Sequence, residues 1–108
     1  MTTYAVVNPA TGATESTVPL ISDSALAQAV TDAQAAYESW GHTSSVADRA
    51  KLIARVAELH IERREELADI IVREMGKPRE QALGEVDFSA AIYQYHVDNA
   101  DKLLADEP

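Results

Sequence analysis

Apolar positions along the chain follow two rhythms, and the change falls near Ser22. Residues 4 to 20 hold Tyr4, Val6, Val7, Thr14, Thr17 and Val18, interrupted by Asn8, Pro9, Ala10, Thr11 and Gly12. Strand formers broken by turn formers predict a β-hairpin with strands at about 4–7 and 13–18. Pro9 presets one turn dihedral, Gly12 supplies a positive φ, and Pro19 closes the second strand. An isolated hairpin is marginal in water, so this one needs a surface to lie on.

From Ser22 onward the spacing becomes helical. Ser22 or Ser24 caps a first helix whose stripe is Leu26, Ala29, Val30, Ala33, Tyr37 and Trp40, ending near Trp40 and Gly41. Ser45 followed by Asp48 forms a capping box, with an acid in place of the usual Glu or Gln. The stripe Leu52, Ile53, Val56 and Leu59 follows. Between His60 and Glu66 the pattern turns almost wholly polar, which predicts a kink or break before Leu67, Ile70, Ile71 and Met75 resume it. Gly76 then offers a C-terminal cap. Pro78 suits a first helical turn, and Leu83, Val86, Ala90, Tyr93, Val97, Ala100 and Leu104 define the last and longest helix. The expected fold class is mainly α with an N-terminal β-hairpin: one segment over 1–108, divided into a hairpin at 4–20 and a helical part at 22–108.

Composition narrows the chemistry. The 108 residues carry 18 acidic against 9 basic side chains, a net charge of -9, which argues against nucleic acid or anionic lipid as a general partner. No Cys is present, so thiol nucleophiles, disulfides and Cys-ligated metals have no place within these residues. No stretch approaches the ~20 apolar residues that span a bilayer, and MTTYAVVNPATG lacks the pattern of a secretory leader. A cytoplasmic protein is the resulting expectation.

Candidate catalytic groups reduce to ordinary ones. His42, His60 and His96 stand at no metal-ligand spacing. Glu62, Glu65, Glu66 and Asp69 interleave with Arg63 and Arg64 as a solvated helix face of close-range ion pairs does. A hydrolase built on paired acids would need two carboxylates converging on one pocket, one with a raised pKa. The glycines at 12, 41, 76 and 84 form no phosphate-cradling loop. Two pieces are less ordinary, VVNPATG (6–12) and EMGKP (74–78). Glu74 sits against the negative end of a helix dipole, which calls for a partner, either Lys77 or a bound cation.

VVNPATG, a helix with a Trp near its end, DRAKLIARVAELHIE, EMGKP and the following GEV occur in an order that resembles the aldehyde dehydrogenase superfamily over essentially the whole chain. The ending NADKLLADEP and the EMGK junction look most like bacterial succinate-semialdehyde dehydrogenases. The resemblance implies the N-terminal part of an α/β fold whose Rossmann-like cofactor domain lies downstream, in a chain several times longer. The family's reaction is thiolate attack on an aldehyde, hydride transfer to NAD or NADP, and thioester hydrolysis. Its catalytic Cys, general-base Glu, oxyanion-hole Asn and nucleotide site have no counterpart here, so this segment alone is expected to be inactive scaffold.

The same resemblance implies two carry-overs. Val6 and Val7, through backbone carbonyls, and Glu74 match positions that bind a structural monovalent cation in some members. Phe88, two residues after GEV, matches a helix position lining the aldehyde tunnel. The implied partners are the remainder of the parent chain, a small aldehyde and further copies in a homo-oligomer. The rival reading is an autonomous acidic helical binding module whose stripe from Leu83 to Leu104 docks on a partner. A piece of a larger enzyme should expose apolar faces on the hairpin and last helix; an autonomous module should bury them.

Overall fold

The computed structural model describes residues 4–107; residues 1–3 and 108, at the two ends of the expected segment, lie outside the described residues. Strands β1 (Tyr4–Val7) and β2 (Thr14–Val18) form an antiparallel pair, with Tyr4 opposite Val18 and Val6 opposite Ser16. The register slips between Val6 and Val7, where Val7 pairs with Thr14. That irregularity delays β2 by one residue relative to the sequence expectation.

Helix α1 (Asp23–Ala36) is capped by Ser22, whose hydroxyl accepts from the Ala25 amide at 3.2 Å. The expected helix to Trp40 changes character after Ala36. Residues Tyr37–Gly41 form a π-helical turn closed by the His42 amide on the Tyr37 carbonyl at 3.0 Å. Two hydroxyls bond back into it, Ser39 to the Ala35 carbonyl at 2.9 Å and Thr43 to the Ser39 carbonyl at 2.6 Å. Back-bonded Ser and Thr loosen and bend a helix, which gives the turn a local cause.

Helix α2 (Val46–Glu62) opens on the expected box. Ser45 Oγ accepts from the Asp48 amide at 3.0 Å and donates to Asp48 Oδ2 at 2.7 Å. Aspartate is too short to reproduce the longer Glu or Gln reach, so it closes the box on the hydroxyl itself. The break expected between 60 and 66 falls on Arg63, at φ -104 and ψ 21, and α3 (Arg64–Met75) follows directly. Gly76 ends α3 in the left-handed region at φ 73, and α4 runs over Arg79–Leu103 from Pro78.

Helices α2, α3 and α4 pack as one layer in which α4 touches both others. The fully or nearly covered residues are Ala57, Ala68, Ala82, Leu83, Val86 and Ala90. Four of these six are alanines. The helices meet where side chains are small enough for backbones to approach, and Leu67, Ile71 and Val72 close the edges. Charged pairs bolt the layer together. Arg64 of α3 grips Asp87 of α4 through two bonds of 2.5 and 2.7 Å. Arg79, at the start of α4, reaches back to Glu65 and Asp69. The acidic face read from sequence as local pairs therefore also serves as an inter-helix clamp.

Nothing comparable holds the other elements. Every residue of α1 is exposed, and among the described residues its only substantial packing is against the π turn that continues it. The stripe Leu26, Val30, Tyr37 and Trp40 is correctly placed on the helix yet 50–65% exposed. The radius of gyration is 18.5 Å, against about 13 Å for a compact domain of this length. Among the described residues, no helix is long and apolar enough to cross a membrane.

Candidate functional site

The turn after β1 is built around Asn8. Its amide donates to the Ala13 carbonyl at 2.9 Å, its carbonyl accepts from the Gly12 amide at 2.8 Å, and its Oδ1 accepts from the Ala10 amide at 3.0 Å. Thr11 Oγ1 accepts from the Ala13 amide at 3.2 Å. Gly12 stands at φ 73, a conformation that side chains resist. Each polar residue of Asn-Pro-Ala-Thr-Gly thus satisfies a backbone group that the turn would otherwise strand.

Pro9 at the tip of that turn rests on Gly76. A Cβ added at Gly76 would lie 2.9 Å from Pro9 Cγ, closer than side-chain carbons approach. Gly76 is therefore fixed twice, by its left-handed backbone and by the proline ring against it. The contact brings the two unusual sequence pieces together: the turn that follows Val6 and Val7, and the end of the helix that carries Glu74. Val6 is half-buried and Val7 is exposed. Lys77 is not the partner of Glu74, because it pairs with Glu85 in the second turn of α4. Glu74 instead touches the neighbouring Arg73 at 3.2 Å, an exposed contact between adjacent residues that holds the carboxylate weakly.

Phe88 projects from α4 at 67% exposure, on the side away from Leu83, Val86 and Ala90. Ile92 and Tyr95 continue it at four- and three-residue steps, also exposed. Helix α4 therefore carries two apolar stripes on opposite sides, one covered and one bare. The second was readable from the spacing 88, 92, 95 and is masked by the stronger stripe beside it.

The histidines stay apart. His42 lies 4.5 Å from the Tyr37 ring, His60 Nδ1 bonds the Val56 carbonyl at 2.8 Å, and His96 lies 5.5 Å from Tyr95. No cluster of three His, Cys, Asp or Glu converges as a metal site among the described residues. Glu62, Glu66 and Asp87 are shifted away from the raised pKa that paired-acid catalysis requires. Hydrogen bonds from Arg55, Arg63 and Arg64 hold the carboxyls of Glu62, Glu66 and Asp87 below the usual carboxylate range.

An apolar groove of about 410 Å³ lies between the π turn, α2 and the end of α4. Trp40, Ile53, Leu103 and Leu104 line it, with Arg49 and His96 as its basic groups. Gly84 lies inside α4, and the glycines at 12, 41 and 76 occupy the hairpin turn, the π turn and a helix C-terminus rather than a strand-to-helix loop.

Comparison with known proteins places these features. The model of the aldehyde dehydrogenase family matches residues 1–107. The chain is 39% identical to a succinate-semialdehyde dehydrogenase [NADP(+)] of Deinococcus radiodurans over 101 residues, covering 94% of this chain and 21% of that protein. It is 36% identical to a 3,6-anhydro-alpha-L-galactose dehydrogenase of Streptomyces coelicolor, covering 98% and 22%. A solved structure of succinic semialdehyde dehydrogenase from Streptococcus pyogenes, in complex with NADP+, superposes with a TM-score of 0.90 at 30% identity, covering 97% and 23%. The chain spans about a fifth of the length of the relatives it matches. With a mainly helical body, a two-stranded N-terminal sheet and a family match over nearly every residue, this chain belongs to the aldehyde dehydrogenase family.

Proposed function

We propose that these residues form the N-terminal scaffold of a longer NAD(P)-dependent aldehyde dehydrogenase that oxidises succinate semialdehyde to the dicarboxylate. The observation that carries this is the uncovered apolar surface of α1, the hairpin and the outer side of α4, in a chain one fifth as long as its relatives. Faces of that kind are buried in a stable assembly. The bare apolar residues of the hairpin and of the outer side of α4 argue against the autonomous-module reading, in which those faces would be buried. In this reading the cofactor's binding and every chemical step belong to the remainder of the polypeptide. The relatives named for succinate semialdehyde support the substrate, while the galactose-derived substrate of the Streptomyces relative marks the breadth of the family. The test is NAD(P)+ reduction by the full-length polypeptide. Turnover with succinate semialdehyde well above that with unbranched aldehydes lacking a carboxylate is expected, and absence of turnover with any aldehyde contradicts the proposal.

Within that enzyme, the carbonyls of Val6 and Val7 and the Glu74 carboxylate are proposed to hold a structural monovalent cation. The Pro9–Gly76 contact supports this by tying the two halves of the donor set to one corner. Carbonyl and carboxylate oxygens suit such an ion. Glu74→Ala should lower the melting temperature and abolish its dependence on sodium or potassium concentration while turnover changes little. A wild-type melting temperature indifferent to both ions removes the site. Phe88, with Ile92 and Tyr95, is proposed to border the passage of the aldehyde.

A further inference from the structure

The apolar groove beside Trp40 contains the one arginine that, among the described residues, no acid claims. Arg55, Arg63, Arg64, Arg73 and Arg79 each hold a carboxylate among the described residues. Arg49 does not, although the chain carries 18 acidic side chains and Asp48 is its neighbour. Asp48 is taken up by Ser45 and Lys51. Half-buried Arg49 donates from Nη1 to the Ser44 carbonyl at 2.8 Å and to Ser44 Oγ at 3.2 Å, which fixes one edge of the guanidinium. Its other N–H donors have no partner among the described residues, and the group stands on the wall of the groove. A guanidinium held by two bonds on one edge is prepared to receive a carboxylate on the other. Trp40, Leu52, Leu103 and Leu104 around it are each at least 50% exposed, so the walls ask for apolar cover at the same time.

We infer that the groove seats an apolar segment of the same polypeptide, outside these residues, whose single carboxylate pairs with Arg49. The inference rests on the reading of the chain as part of a longer dehydrogenase, and it names the surface through which that larger part engages the π turn. Charge decides the chemistry of the occupant. In a chain of net charge -9, a basic, apolar groove selects an acidic, apolar segment. Length decides its source. About four fifths of the relatives' chain lies beyond the matched portion, and a tethered segment outcompetes a free one through its effective concentration.

The experiment uses the full-length polypeptide with Leu52 replaced by the photo-cross-linker p-benzoylphenylalanine. Irradiation followed by peptide mass spectrometry should give a cross-link within one chain, to a peptide that contains Asp or Glu among apolar residues. Arg49→Met should lower its yield about tenfold, and Arg49→Lys should restore much of it. If Arg49→Met fails to fold, Arg49→Gln in the full-length polypeptide, which keeps a donor for the Ser44 carbonyl but no charge for a carboxylate, should lower the yield in the same way. A cross-link to a second copy, to a different protein or to nothing overturns the inference, as does a yield indifferent to Arg49→Met. Assaying the same samples with succinate semialdehyde separates the two readings. Turnover without the intrachain cross-link refutes the groove alone, and the cross-link without turnover refutes the dehydrogenase reading alone.

Discussion

The layer α2–α4 on one side, and α1 and the hairpin on the other, are built from equally regular sequence, yet the layer is held by buried contacts and cross-helix ion pairs, whereas α1 packs on its own π turn and the hairpin meets the layer through Pro9 on Gly76. In the layer, Ala68 and Ala82 are fully covered, and Arg64, Lys77 and Arg79 each reach a carboxylate across the α3–α4 boundary. In the second region, Val30 at 65% exposure and Tyr4 at 61% face water from elements whose own caps and turns are complete. Capping and turn chemistry define where an element begins and ends, but burial supplies the larger part of its stability. Elements that are well punctuated and poorly buried fit the proposal that their cover comes from another part of a longer protein.

That contrast can be broken at the core of the layer first. Leu83 is 7% exposed among Ala68, Ala82 and Val86, so Leu83→Ala in the full-length polypeptide should cost about 2–4 kcal/mol. Denaturant unfolding checks this, and a cost below ~1 kcal/mol would place the stabilising core elsewhere. The next effect sharpens the boundary between the regions. Gly76→Ala forces a side chain into the left-handed region and against Pro9, at a cost of about 1–2 kcal/mol from the backbone alone. Hydrogen exchange should then accelerate in residues 8–13 more than in α2, since the hairpin rests on the layer at that point.

The smallest effect is electrostatic. Hydrogen bonds from Arg64 depress the Asp87 carboxyl below its ordinary 3.8. A depressed folded-state value means a contribution present above 3.8 and lost as the pH falls through the lower folded value. The melting-temperature gap between wild type and Asp87→Asn should therefore stay constant from about pH 5 to 7 and close below about 3.8. Salt should narrow it throughout, because both side chains are partly exposed. A gap that widens in acid would contradict the assignment.

Much of this architecture was legible in the order of residues. Asn8, Pro9 and Gly12 announce the hairpin turn, Ser22 and Ser45 the helix starts, the polar run around Arg63 a break, and Gly76 a stop, because each acts on groups within a few residues of itself. What depends on distant partners was not legible. Large residues drew the helical stripes, while Ala57, Ala68 and Ala82 mark where the helices touch, since close backbone approach rewards the absence of a side chain. Lys77 beside Glu74 in sequence found Glu85 instead, because the chain turns at Gly76 and α4 returns an acid to it. The π turn at Tyr37–Gly41 needs two hydroxyls to bond backward, and helical spacing passes through it unchanged. Of the candidate site, sequence pointed to both of its pieces, but only the fold joins them through Pro9 and Gly76. The bare stripe Phe88, Ile92 and Tyr95 was hidden by the stronger one on the other side of α4.

The central claim is that the uncovered faces belong to a larger enzyme, and the intact mass of the natural polypeptide tests it most directly. The 101 matched residues, 94% of this 11.7 kDa segment, make up 21% of the Deinococcus relative, which predicts about 52 kDa. A natural product of 11.7 kDa would contradict the account, because α1 and the hairpin would then have no cover within their own chain.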